Sequence, residues 1–60
     1  MKSTEFLAYL EENNIILSEI DTRRIKDALN VVLNLLKVRG ITLNKIEQEK
    51  LVFSLAKAIK

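Results

Sequence analysis

The middle of the chain, IILSEIDTRRIKDALNVVLNLLKVRG, has the periodicity of an amphipathic helix and carries signals for a helix start and end. Ser18 followed by Asp21 resembles a capping box with Asp in place of the usual Glu, and Gly40 follows the last apolar residue. We therefore predict a helix over about residues 19–39. The apolar positions that repeat at helical spacing are Ile25, Ala28, Leu29, Val32 and Leu36.

A shorter helical pattern precedes this segment. Ser3 or Thr4 is placed to cap a helix by accepting a hydrogen bond from an early backbone N–H. Asn13 and Asn14 end the pattern, because asparagine tolerates the left-handed conformation found at helix ends. The predicted first helix covers about residues 4–12.

A third helix is predicted over about residues 43–59, where Thr42 or Asn44 is placed as its cap. Proline is absent and glycine occurs once, so the connections between the helices are short. We expect an all-α fold: one domain over residues 1–60, built as a three-helix bundle that packs into a helical homodimer.

The composition excludes several classes of function. The chain has no cysteine and no histidine, so it has no disulfides, thiolate zinc sites or imidazole ligands. A serine nucleophile would have no histidine base, and the single glycine cannot form a phosphate-binding loop. We expect no catalytic residues, no metal and no cofactor, and hence a protein that is not an enzyme.

Membrane insertion and export are also not expected. No uncharged apolar stretch reaches the ~20 residues that a spanning helix needs, and FLAYL runs directly into two glutamates, unlike a secretory signal. The absence of cysteine suits a cytoplasmic protein. The formal charge of +2 is too small to indicate a nucleic-acid partner by itself.

The predicted second helix has more apolar surface than two neighbouring helices are expected to cover. Its polar residues form one narrow stripe, and a helix that is apolar on most sides is normally buried on more than one side. We predict that a second copy of the chain covers this surface. The alternative is a monomer in which the first helix and the segment 15–17 cover it. The predicted interface residues are Val31, Leu33, Leu35, Val38, Ile46 and Phe53.

A nucleic-acid partner is the second hypothesis. The run Arg39, Gly40, Ile41, Thr42 resembles the turn of a phage-repressor-type helix-turn-helix. No second break follows it, so the helix that would enter the DNA groove is missing. The remaining basic cluster, predicted as a DNA contact at the start of helix two, consists of Arg23, Arg24 and Lys26.

The segment over residues 24–60 has a distinctive spacing, formed by Gly40, Leu43, Asn44, Leu51, Ser54, Leu55, Ala58 and Ile59. This spacing resembles the first half of the PTS regulation domain, a helical module of bacterial regulators of sugar operons. The resemblance implies dimerisation by helical packing and a role in transcription regulation. Ser54 stands where that family has its phosphorylated histidine, and we expect its hydroxyl to bond to the backbone carbonyl one turn back. The chain would then be a shortened relative or a fragment of a larger regulator.

Overall fold

The computed structural model describes residues 1–59, which form three helices: α1 (Ser3–Glu12), α2 (Glu19–Val38) and α3 (Lys45–Ile59). No strand occurs in the part of the chain that the structure describes, so the predicted all-α class is confirmed. The predicted domain also included Lys60, which lies outside the described residues. Within residues 1–59, no helix combines the length and apolar character needed to cross a membrane.

Side-chain caps define the starts of α2 and α3. The Oγ of Ser18 accepts a hydrogen bond from the backbone N–H of Asp21 at 3.1 Å, as predicted. At α3, the Oδ1 of Asn44 accepts from the N–H of Glu47 at 2.8 Å, and the Oε1 of Glu47 accepts from the N–H of Asn44 at 3.1 Å. This reciprocal capping box explains why α3 starts after Asn44, two residues later than predicted.

The start of α1 differs from the prediction. Lys2 is the N-cap residue, and no side chain caps the helix. The prediction that Ser3 or Thr4 caps α1 is therefore wrong, because the helix begins one residue earlier and contains both of them. The Ser3 hydroxyl instead accepts a hydrogen bond from the Nζ of Lys26, which joins α1 to the middle of α2.

Helix α1 ends in a left-handed residue, as the two asparagines predicted. Asn14 has φ 54°. Its N–H donates to the carbonyl of Glu11 at 3.1 Å, and the N–H of Ile15 donates to the carbonyl of Leu10 at 2.9 Å. This pair of bonds is the Schellman motif, which satisfies the last carbonyls of a helix.

Helix α2 ends in the same motif, with glycine in place of asparagine. Gly40 has φ 80°. Its N–H donates to the carbonyl of Lys37, and the N–H of Ile41 donates to the carbonyl of Leu36, both at 2.9 Å. The single glycine of the chain therefore stands where a left-handed conformation is required.

The buried side chains all lie at one end of the molecule. Each helix contributes two of them, and no side chain within residues 30–51 is buried. At ~1.5 Å per residue, α1 is about half as long as α2, so it reaches only part of the α2–α3 hairpin. We call the end where three helices meet the closed end, and residues 30–51 the open end. The closed-end core consists of Phe6, Leu10, Ile25, Leu29, Val52 and Ala56.

Candidate protein-interaction surface

The open end is rich in apolar residues that the chain does not bury. It contains ten valine, leucine and isoleucine residues, and every one of them is half-buried or exposed. Contiguous exposed apolar surface is typical of interaction sites, so the open end is the candidate surface. The ten residues are Val31, Val32, Leu33, Leu35, Leu36, Val38, Ile41, Leu43, Ile46 and Leu51.

Three of the predicted interface residues form a continuous row on α2, here called the α2 stripe: Val31, Leu35 and Val38. Residues four and seven positions apart lie on the same side of a helix, one above the other. Their side chains are 58%, 63% and 86% exposed, respectively. The structure therefore brings these three predicted residues together on the surface.

Leu33 does not belong to the α2 stripe. At about 100° per residue, a residue two positions from Val31 or Leu35 lies nearly opposite them on the helix. Leu33 is half-buried and packs against the core. It follows Lys26 by seven residues and thus shares the side of α2 that faces α1.

Ile46 and Phe53 are exposed and, being seven residues apart, share one side of α3. Phe53 lines a depression of about 120 Å³ together with Asn14 and Ile15, which form the C-terminal cap of α1. The Nζ of Lys57 lies 5.3 Å from the centre of the Phe53 ring. The predicted interface is therefore divided between two surfaces. The second of these consists of Ile46 and Phe53 on α3, and Leu33 belongs to neither surface because it packs against the core.

A shallow hollow of about 300 Å³ borders the α2 stripe. It is lined by Val32, Leu35, Leu36 and Arg39, which follow the spacing i, i+3, i+4, i+7. Val32 and Leu36 have the periodicity of core residues, and they are half-buried because α1 ends before reaching them. The sequence carried one signal for this hollow: the predicted first helix is much shorter than the predicted second helix and cannot cover its whole length.

Of the three basic residues near the start of α2, two share a depression and the third lies apart from it. Arg23 lies 4.0 Å from the carboxylate of Glu19, and Lys26 bonds to Ser3 of α1. Arg24 lies about 100° from Arg23 and about 160° from Lys26 around the helix. Arg23 and Lys26 line one depression of about 380 Å³ between α1 and α2, with Glu19 and Ser3 beside them, and Arg24 is not part of its lining.

Ser54 has the structural bond that was predicted for it. Its Oγ donates to the backbone carbonyl of Lys50, four residues earlier, at 3.1 Å. Within residues 1–59, no group of three or more Asp and Glu side chains is placed to hold a metal ion. The apolar open end thus remains the most distinctive surface of the described chain.

Comparisons with protein-family models, with curated proteins and with solved structures found no match. The evidence for the interaction surface is therefore the burial pattern of this chain. Its helix geometry then shows which exposed residues lie together.

Proposed function

We propose that the chain is a small α-helical interaction module that binds a second copy of itself through the open end. In this proposal the closed end is a three-helix bundle, and the homodimer acts as a regulator by presenting or hiding a surface for a protein partner. The observation that carries the proposal is the absence of any buried side chain within residues 30–51, which include ten large apolar residues.

The accessible surface of the chain supports an interface of ordinary size. It amounts to 4645 Å². A compact monomer of 6.9 kDa is expected to expose about 4,000 Å². The surplus of about 650 Å² is close to the ~800 Å² that each partner contributes to a standard interface. One second copy is therefore enough to cover the surplus.

The expected affinity is moderate. Burying a large aliphatic side chain completely contributes about 1.5–3 kcal/mol, and the side chains of the α2 stripe are already partly covered. Association costs ~4–15 kcal/mol in lost freedom of motion, which offsets most of this gain. We expect a reversible dimer, and reversibility suits a regulatory role.

The resemblance to the PTS regulation domain agrees with a dimer, because members of that family dimerise by helical packing. Regulation through phosphohistidine does not operate at the equivalent position here, where Ser54 bonds to the Lys50 carbonyl. Regulation would then depend on concentration or on the protein partner.

The test is the solution mass, measured by light scattering across a dilution series for three proteins: the natural chain, Leu35→Glu and Asn30→Glu. Leu35 lies in the α2 stripe, and Asn30 is exposed about 140° away around the same helix. The two variants add the same charge to α2. We expect the natural chain and Asn30→Glu to dimerise, and Leu35→Glu to remain monomeric with an unchanged helical circular dichroism spectrum.

A natural chain that stays monomeric at millimolar concentration would contradict self-association. A Leu35→Glu variant that dimerises as well as Asn30→Glu would contradict the placement of the interface on the α2 stripe.

A further inference from the structure

We infer that, in the proposed dimer, the two α2 helices pack antiparallel around a two-fold axis beside Leu35. The inference depends on the proposed self-association and adds the orientation of the partner. It follows from the position of the α2 stripe, the placement of charge along α2 and the shape of the hollow beside the stripe.

The α2 stripe fits an antiparallel partner because its residues are nearly symmetric about Leu35. Val31 and Val38 stand four residues before and three residues after it, all within the last eight residues of α2. An antiparallel copy places Val31 level with Val38 of the partner subunit, and the two Leu35 side chains beside each other. All three pairs of facing side chains in the contact are then aliphatic.

A parallel pair would bring like charges together. Arg24 lies eleven residues before Leu35, which is about three turns, and therefore on the same side of α2. In a parallel pair it would face Arg24 of the partner subunit, and like charges in contact across an interface cost several kcal/mol. In the antiparallel pair Arg24 lies beyond the end of the partner's α2.

The exposed tip of the open end favours the same orientation. Lys37, Arg39 and Lys45 surround the turn between α2 and α3, and all three are exposed. A parallel pair would place these two basic tips side by side. Lys37 lies about 160° from Leu35 around the helix and so outside the contact, and the antiparallel pair separates the two Arg39 residues along the helix axis by ~12 Å, at 1.5 Å per residue. This is more than the ~10 Å over which salt screens charges at 0.1 M.

The hollow beside the stripe has the form that a facing helix requires. Its lining residues have the i, i+3, i+4, i+7 spacing of a hole that receives one side chain from a partner helix. In the antiparallel pair, Leu35 of the partner subunit lies level with this hollow. The partner's leucine therefore packs where the chain by itself leaves about 300 Å³ unfilled.

Disulfide cross-linking tests the orientation, and the natural absence of cysteine makes every introduced thiol unique. The variants are Val31→Cys, Val38→Cys and Leu35→Cys, with Asn30→Cys as a control on the opposite side of α2. Each variant is oxidised alone, and the first two are also oxidised as an equimolar mixture. Cross-linked dimer is measured on a non-reducing gel.

A disulfide needs Cβ atoms ~3.5–4.5 Å apart. In the antiparallel pair, each valine position is ~10 Å along the axis from its own copy. We expect the mixture to cross-link at least about tenfold faster than Val31→Cys or Val38→Cys alone, because only the mixture places two thiols within that range. Leu35→Cys alone should cross-link, and Asn30→Cys should not.

Two results would overturn the inference in different ways. Fast cross-linking of Val31→Cys alone and of Val38→Cys alone, with no gain in the mixture, would show a parallel pair and leave self-association standing. Absence of cross-linking in all variants, together with a monomeric mass of the natural chain, would overturn the proposed function as well.

Discussion

Helices α1 and α2 end in the same hydrogen-bonded motif, one at the closed end of the molecule and the other at the open end. The apolar residues that follow the two left-handed positions differ in burial. Ile15, after α1, packs against the core, whereas Ile41, after α2, remains 47% exposed. Identical local structure therefore does not produce identical burial.

The difference between the two ends comes from the number of helices present. At the closed end, α1 contributes Phe6 and Leu10 to a core of six buried side chains that it shares with α2 and α3. At the open end two helices pack alone, and each keeps an uncovered side. Buried apolar surface is the main stabilising contribution to a small fold, so the closed end supplies most of the stability of the isolated chain.

The largest expected effect is the difference in stability between a leucine variant at the closed end and one at the open end. Leu29→Ala removes a fully buried side chain and should lower the free energy of unfolding by about 2–5 kcal/mol. Because a chain of this size rarely exceeds ~3–5 kcal/mol of stability, this variant should be largely unfolded. Leu35→Ala changes an exposed site and should cost below about 0.5 kcal/mol in the monomer.

The measurement for this pair is urea unfolding followed by circular dichroism, at concentrations below the dimerisation midpoint. An equal decrease in the free energy of unfolding for the two variants would show that the open end is packed in the monomer. The distinction between the closed end and the open end would then be wrong.

A middle-sized effect is expected at the two C-terminal caps. Gly40→Ala should cost about 1 kcal/mol, because alanine is strained in the left-handed region. An added Cβ would meet no atom within 4 Å, so the cost is conformational only. Asn14→Gly should change the stability by less than about 0.5 kcal/mol, because asparagine already tolerates this conformation.

Thermal unfolding of both cap variants checks this prediction. If Gly40→Ala has no effect, the turn after α2 unfolds separately from the core. That result would sharpen the distinction between the two ends, and hydrogen exchange of the open-end amides would locate the boundary.

The smallest effect is expected from charge at the closed end. Arg23 and Glu19 are 4.0 Å apart, with side chains 76% and 92% exposed. Exposed pairs of this kind contribute little, so Arg23→Ala should lower the stability by less than about 0.5 kcal/mol. Urea unfolding at low and high salt measures this change in the free energy of unfolding. A salt-sensitive decrease above about 1 kcal/mol would show that electrostatic interactions also distinguish the two ends.

Local sequence signals predicted the helices well. The bonds of Ser18, Asn44 and Gly40 involve groups within a few residues of one another, so the local sequence is enough to predict them. Ser3 shows the limit of this approach. Its hydroxyl bonds to Lys26, 23 residues away in sequence, and no local pattern predicts a partner at that distance.

The predicted interface contains an error that the sequence could have avoided. The sequence indicated an excess of apolar surface, but it placed Leu33 in the same surface as Val31 and Leu35. Helical spacing alone puts Leu33 on a different side of α2, and the position of α1 decides which side faces the core. The basic residues Arg23 and Lys26 were likewise grouped in sequence and are engaged with different neighbours in the structure.

By itself, the sequence determined the all-α class, the number of helices and their bounds to within about two residues, and the excess of apolar side chains over what sixty residues can bury. These properties depend on composition, spacing and contacts within a turn or two of helix. Only the tertiary structure decided that the buried core lies at one end while exposed apolar residues occur at both. Val31, Leu35, Val38, Ile41 and Ile46 are exposed at the open end, and Leu7, Ile16, Ile20, Phe53 and Ile59 are exposed outside it. The length and placement of α1 determine which apolar residues it covers, and that depends on contacts between residues far apart in the chain.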